Sequence, residues 1–496
     1  MLSYFWLGSH RQAQILHPKR RRHTMPRPQK PATYTTSFFA PPPRTPFDSI
    51  PTELLVAIMD LTCNWVHPHI HSKYGAPHNL FLVSKRWYQV ALSSPRLWIS
   101  IYMDISEWDI NVQEYRARLR SIQKRTRLAA NLPLNLYLYM TISRRYGSGE
   151  EGGGGEEEED SDCDIEEDFL PTRKLIGAFL HKNNSKWRTM ILEINDPTSA
   201  IQNFLPSSLP NLEVMSIHGL CEVHLEEPPD FPIGICLRGI RAPKLHTLHA
   251  ANEISDIKWN TLGLPCLTKV TLSCHPDIIS DSLLCLAVFK NLRSLTISQQ
   301  TWHESWYWDK DRLSNTPSSS ILLPSLEELE IKESNVEIIV DALRIFNLPM
   351  LVTLYVDTTR CPGGLNAPPL TLNYPSLRSF AFTDCCGSDV ELVRAVLAGA
   401  ANLTRLAIYL SSATSREASQ VDTSELSWRR LLFVTHGDKS RPLCPRLRHL
   451  YTSTSKEEAE VISLLLPGLV ISQGFGYNDN PIREIFEGEG QLVEEE

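Results

Sequence analysis

Apolar residues recur along this chain in two rhythms. Near the front they fall three and four positions apart, the spacing that lines one face of a helix. Leu54, Leu55, Ile58 and Leu61 recur this way after Pro51, and Leu80, Val83, Trp87 and Ala91 do so further on. Pro51 stands where a first-turn proline forfeits no hydrogen bond, with Ser49 or Thr52 able to cap the free amides. Ser93, Ser94 and Pro95 end the second helix, and a turn carrying Leu97 and Trp98 follows. Two or three helices this short cannot hide so many large apolar side chains. The pattern therefore predicts packing against the next domain, or a face left for another protein.

The second rhythm is period two, set inside a longer repeat. A basic amphipathic helix over 111–130 has Tyr115, Leu119 and Ile122 on one face and Arg116, Arg118, Arg120, Lys124, Arg125 and Arg127 on the others. It leads into a strand over Leu132–Met140, where apolar residues alternate. After a helix at Thr172–His181 comes a unit of the form Pro-x-Leu-x-x-Leu-x-apolar. Pro243-Leu245-Leu248-Ala250, Pro324-Leu326-Leu329-Ile331 and Pro375-Leu377-Phe380-Phe382 are three copies. Trp187-Met190-Leu192 is an early degenerate copy, and the segment from Leu464 to Ile471 closes the array. Steps such as Leu326 to Leu351, Leu377 and Leu403 are about 25 residues long. In each unit the second Leu and the apolar residue flank a polar one, so both point inward from a short strand. The first Leu enters the same core from the turn, and the proline breaks the element before it. Helical periods at 335–346 and 389–398 fall between strands, so each unit leaves an apolar face that only a stacked neighbour can bury.

Composition narrows the function. The net charge is −8, basic in the first fifty residues and acidic near residue 155 and at the C-terminus, which argues against nucleic acid as a partner. The eleven cysteines include no Cys-x-x-Cys pair, and reduced thiols in the cytoplasm or nucleus are expected. Lys19–Arg22 is a basic cluster of the kind read as a nuclear import address, though a solvated charge run is the simpler reading. No apolar run is long enough to span a bilayer. His67, His69, His71 and His78 lack the spacing and the carboxylate or thiol partner of a metal set, so no metal and no cofactor are expected. The Gly-x-Ser-x-Gly elbow, the Walker loop, His-Glu-x-x-His and the dinucleotide fingerprint are all missing, which leaves no catalytic residues to nominate.

The front segment carries a resemblance. Ile50-Pro51-x-Glu53-Leu54-Leu55-x-x-Ile58, then Leu82-Val83-Ser84-Lys85-x-Trp87-x-x-Val90-Ala91, then Leu97-Trp98, resembles an F-box. The connector between the first two parts, Thr62–Asn79, is longer than usual. An F-box docks its protein onto a Skp-family adaptor of a cullin-RING ubiquitin ligase. The resemblance implies adaptor contacts at Pro51, Leu54, Leu55, Ile58, Leu82, Val83 and Trp87. The repeats resemble leucine-rich repeats in irregular form, without the usual Asn or Cys after most strands, so regular asparagine ladders are not expected. With the basic helix, the Leu132–Met140 strand and Lys186–Arg188, the whole is similar to the large fungal F-box families.

The expected fold class is α/β: a short N-terminal F-box-like helical module, then an irregular leucine-rich-repeat solenoid of parallel strands and helices. The expected divisions are a Pro-rich basic tail (1–45), the helical module (46–103), a linking helix and first strand (104–146), an acidic insertion (147–168), the solenoid (169–475) and an acidic tail (476–496). The implied function is that of a target receptor in a ubiquitin ligase. The alternative is a repeat scaffold whose helices only cap the array. Target binding is expected on the strand face or on the long segments 298–323 and 411–443. The first of these holds Trp302, Trp306, Tyr307 and Trp308, which suit a binding hot spot.

Overall fold

The computed structural model describes residues 49–64, 83–104, 112–141, 174–195, 205–219, 240–251, 264–274, 283, 286–299, 321–334, 336–358, 372–385, 390–410, 431–436, 439–452 and 456–473. The expectations for the two tails, the acidic insertion, the histidine-rich connector, Leu82, and Trp302, Trp306, Tyr307 and Trp308 lie outside these residues.

The protein is α/β, and its main element is a 13-stranded parallel sheet. Two helices lead in, α1 (Thr52–Asn64) and α2 (Lys85–Ser93), followed by a 3-10 turn at Pro95–Trp98. Then come β1 (Ser100–Asp104), α3 (Val112–Leu128), β2 (Leu134–Thr141), a helix α4 over 174–182 and β3 (Trp187–Asn195). The sheet continues in chain order through β4 (Val214–Gly219), β5 (Thr247–Ala251), β6 (Lys269–Cys274) and β7 (Ser294–Gln299). The short β8 (Ile321–Leu322) is followed by β9 (Glu328–Ser334), α5 (Val336–Ile345), the short β10 (Phe346–Asn347) and β11 (Thr353–Thr358). After β12 (Ser379–Cys385), α6 (Val390–Gly399) and β13 (Arg405–Leu410) comes an antiparallel hairpin, β14 (Phe433–His436) with β15 (Lys439–Pro442). The last elements are β16 (His449–Thr452), α7 (Lys456–Leu465) and β17 (Val470–Gln473). β8 pairs with β10 off the main sheet.

The repeat spacing explains why every strand finds the same register. The second Leu of each unit lies beside its counterpart in the next, as in Leu295↔Leu329, Leu329↔Leu354, Leu354↔Phe380 and Phe380↔Leu406. The apolar residue two positions on does the same, as in Ile297↔Ile331, Ile331↔Val356 and Val356↔Phe382. These rows are fully buried, and the first Leu of the unit, such as Leu326, Leu351, Leu377 and Leu403, is buried beside them. A slip of one residue would turn both rows to solvent, at about 1.5–3 kcal/mol for each large side chain exposed, so the burial pattern locks the register.

The proline has a definite job. In each unit the amide of the first Leu donates to a carbonyl three residues back, for example Leu326 to Leu323 (3.3 Å), Leu377 to Tyr374 (3.1 Å) and Leu403 to Ala400 (3.0 Å). Where Pro is present, as Pro324 and Pro375, it holds the second position of this turn, where its fixed φ is already correct. The third residue of the turn links one turn to the previous one, whether or not a proline precedes it. Asn291 Nδ2 donates to Pro265 O (3.1 Å), Ser376 Oγ to Pro349 O (2.8 Å) and Asn402 Nδ2 to Pro375 O (2.7 Å). A polar ladder therefore exists, but ahead of the strands rather than after them. The last turn, Leu466–Leu469, instead has Gly468 at φ +92°, a left-handed position that only glycine takes without strain. Gly399 at the end of α6 answers a different need: a Cβ there would lie 2.3 Å from Leu372 O.

Four sequence expectations shift. The boundary at 103–104 falls inside β1, which pairs with β2 and is the sheet's first strand, so the helical module and the sheet are continuous. Pro51 stands just before α1, and its carbonyl accepts the first helical bond from Leu55 N (3.0 Å). The expected strand at Leu132 begins at Leu134, because Leu132 N is used in the turn that closes α3 beyond Ala130 (φ 56°). Part of the expected loop 411–443 is the β14–β15 hairpin. Cys266 and Cys444 are free thiols; burial pushes Cys444 up to about 12, which keeps it protonated and inert at neutral pH.

Candidate functional site

The helix pair begins with its caps. Ser84, in an extended conformation, accepts a bond from Trp87 N on its side chain (3.2 Å) and starts α2 at Lys85. The Arg86 guanidinium donates to Ile50 O and ties α2 to the chain just ahead of α1. At the other end of α2, Ala91 O accepts from Ser94 N (3.3 Å) and from the Trp98 indole (2.8 Å). The same device recurs at the next helix-to-strand passage, where the buried Trp187 indole donates to Leu180 O (3.1 Å) and its ring meets Phe179 edge-on at 5.8 Å. In both places a tryptophan closes a helix end and fills the space between helix and strand.

The two sides of α1 have opposite fates. Leu55 and Met59 are fully buried and join Val90, Ala91, Trp98 and Ile101 in the same core as the sheet. Leu54, Ile58 and Leu61, on the other side, are 57%, 44% and 65% exposed. Val83 is 57% exposed and Tyr88 41%. Elsewhere among the described residues, exposed large apolar side chains are scattered singly or in pairs that share an element, such as Val461 and Leu464 of α7. The pair is thus sealed inside and greasy outside, an unusual arrangement for a surface helix with a polar alternative available.

The sequence-nominated residues separate accordingly. Pro51, Leu54, Ile58 and Val83 are exposed, and Trp87 is half-buried against the core. Leu55 points inward and cannot meet a partner in this arrangement; it holds the pair together. Val83 stands before α2 rather than on its apolar face, because Ser84 caps the helix there.

Lys186, Trp187 and Arg188 each have a structural role. Lys186 Nζ donates to Ala130 O (2.8 Å) at the end of α3, Trp187 fills the core, and Arg188 pairs with Glu213 (2.7 Å). Periodicity alone does not reveal a cluster on the sheet's other face. Tyr355, Tyr409 and Tyr451 surround Ala381 and Ala407, which occupy neighbouring strands in register. The Tyr409 hydroxyl is buried with no hydrogen-bond partner among the described residues, and burial, with Tyr451 adding to it, pushes it up to about 12. His249 is held below its ordinary value by burial, Lys269 and His218.

Among the described residues, no group of three His, Cys, Asp or Glu side chains could hold a metal ion, and no helix is long and apolar enough to cross a membrane. Compared with known proteins, the chain matches no protein-family model and no curated protein.

Proposed function

We propose that this chain is an F-box protein: the target-recognition subunit of a cullin-RING ubiquitin ligase, docking a Skp-family adaptor and the cullin assembly behind it. The observation that carries this reading is the outer side of α1, where Leu54, Ile58 and Leu61 form an uncovered apolar stripe, with Val83 ahead of α2 also exposed. An amphipathic helix with a second apolar face gains nothing from it unless a groove on another protein covers it. The repeated strand–turn units behind it, read as irregular leucine-rich repeats, would hold the target. The chain would then contribute proximity, bringing a target lysine near the ubiquitin thioester, and would do no bond chemistry itself. Such a protein works in the cytosol or the nucleus.

A non-catalytic role also fits a Ser–His contact found among the described residues of the sheet. Ser216 Oγ lies 2.7 Å from His218 Nε2. Both sit on β4, whose backbone is committed to β3 and β5, so β4 itself offers no free amide pair to stabilise an oxyanion.

The test is capture of a purified Skp-family adaptor by the full chain. Leu54→Asp and Ile58→Asp should each abolish retention while leaving the circular dichroism spectrum unchanged. Absence of capture by the wild type, or capture indifferent to both substitutions, overturns the proposal. A specific observation favours a second reading, the scaffold with a helical cap: Leu55 and Met59 belong to the sheet's own core. In that reading α1 needs only its inner side, and the outer leucines can be made polar at no functional cost.

A further inference from the structure

A groove of about 1220 Å³ runs along the N-terminal ends of β11, β12, β13 and β16, where the turns lead into the strands. Its charged lining consists of Arg378, Arg405, Arg446 and Arg448, with no carboxylate among the lining residues. Met350 also lines a second groove of about 540 Å³ that continues toward β6. There the charged residues are Arg293 and Glu327, paired at 3.9 Å. Further upstream on the same edge Arg188 is paired with Glu213. On this edge Arg188 and Arg293 are thus each paired with a glutamate of the neighbouring unit, whereas Arg378, Arg446 and Arg448 share one groove. Arg378, Arg446 and Arg448 are exposed, with no ion pair to any carboxylate among the described residues. Arg378, Arg446 and Arg448 repel one another across the groove, and nothing in the register of the strands requires them there, so a bound anion is the interaction that rewards the arrangement.

We propose that this groove binds an acidic peptide segment of a partner protein, in extended form, across the turns of the last repeats. Guanidinium groups take carboxylate or phosphate oxygens two at a time, which suits side chains of Asp, Glu or phosphorylated Ser. The groove crosses four strands, roughly 14 Å, a span for about four or five extended residues. Nucleic acid fits less well. Among the described residues no aromatic side chain lines the groove to stack a base, and the basic run ends where Arg293 meets Glu327. Apolar Met350 and Leu447 in the lining would take an aliphatic residue beside the acids. This site rests on its own geometry. If the docking proposal also holds, it is the face on which the target lies.

The test is direct binding of fluorescein-labelled hexaglutamate, a single-phosphoserine peptide of equal length, and hexathymidylate to the full chain, without adaptor, at two salt concentrations. Failure here is therefore separate from failure of adaptor capture. One or both peptides should bind more weakly at high salt, and their ratio tells carboxylate from phosphate recognition. Arg378→Glu with Arg448→Glu should weaken binding about tenfold or more, while Arg188→Glu leaves it unchanged. Glu327→Lys, which extends the basic run, should strengthen it. Peptide binding indifferent to the Arg378/Arg448 pair overturns the site, as does no peptide binding at low salt. Tighter binding of hexathymidylate than of either peptide overturns the class of partner. Binding that appears only when residues 476–496 are removed makes the chain's own acidic tail the occupant, and overturns an external one.

Discussion

The helix pair and the sheet handle apolar surface in opposite ways. In the sheet the inward residues of each inner strand meet their counterparts on both sides, so rows such as Leu295, Leu329, Leu354, Phe380 and Leu406 are sealed. The pair has no neighbouring copy. It buries Leu55 and Met59 against the start of the sheet and leaves Leu54, Ile58 and Leu61 in water. Stacking thus explains every large side chain along the sheet's inner rows, while on α1 adjacent leucines belong to different surfaces. An apolar residue that lowers the free energy of the fold and one left in water are indistinguishable by type, and differ only in what lies across from them.

The comparison can be broken by substitution. The largest effect should come from Phe380→Ala, which empties a site walled by Leu354, Leu406 and the T-shaped ring of Phe382, 6.3 Å away. A loss of about 3–5 kcal/mol in chemical denaturation is expected. Leu55→Ala should cost about 2–5 kcal/mol by the same argument, and hydrogen exchange should place the loss in α1 and α2. Leu54→Asp, one residue away, should change stability by no more than about 0.5 kcal/mol. Equal costs at 54 and 55 would show that α1 has no free side. Asn402→Ala removes a turn-to-turn bond at an accessible site and should cost about 1 kcal/mol. The smallest effect concerns pH. Because His249 is held below its ordinary value, the unfolded chain takes up its proton first as pH falls. Its contribution to stability is therefore complete above about pH 6.5 and is lost as the pH drops through that value toward the folded one. His249→Gln should flatten the acid side of the stability–pH curve, and an unchanged curve would show that other groups set it.

Periodicity exposes some of this before any coordinates. Leu248, Leu329 and Leu354 lie in the strands the repeat predicts, and α5 and α6 fall where the intervening helical period places them. It does so because a strand buried on one side must alternate and a stacked unit must repeat. β1 is less visible: Ser100–Asp104 is a single short alternation directly after a helical turn, with no repeat unit around it. The tyrosine cluster over Ala381 and Ala407 is invisible along the chain, since its members come from separate strands and meet only in register. The candidate docking residues were legible as a set but not as faces. Leu54, Leu55 and Ile58 share one motif, and the direction each side chain takes depends on where α2 and Trp98 lie.

The sequence by itself determined a parallel, repeating α/β array with two helices ahead of it. Local hydrogen bonding and the alternation of apolar residues act over a few residues and leave their mark in the order of letters. Only the tertiary structure decided which leucines of α1 remain uncovered, that the helix pair shares the sheet's core, and that arginines from three successive units gather along one groove, Arg378, Arg446 and Arg448 with no carboxylate paired to them among the described residues. Burial and electrostatic field are sums over neighbours distant in the chain, and they take definite values only once those neighbours are in place.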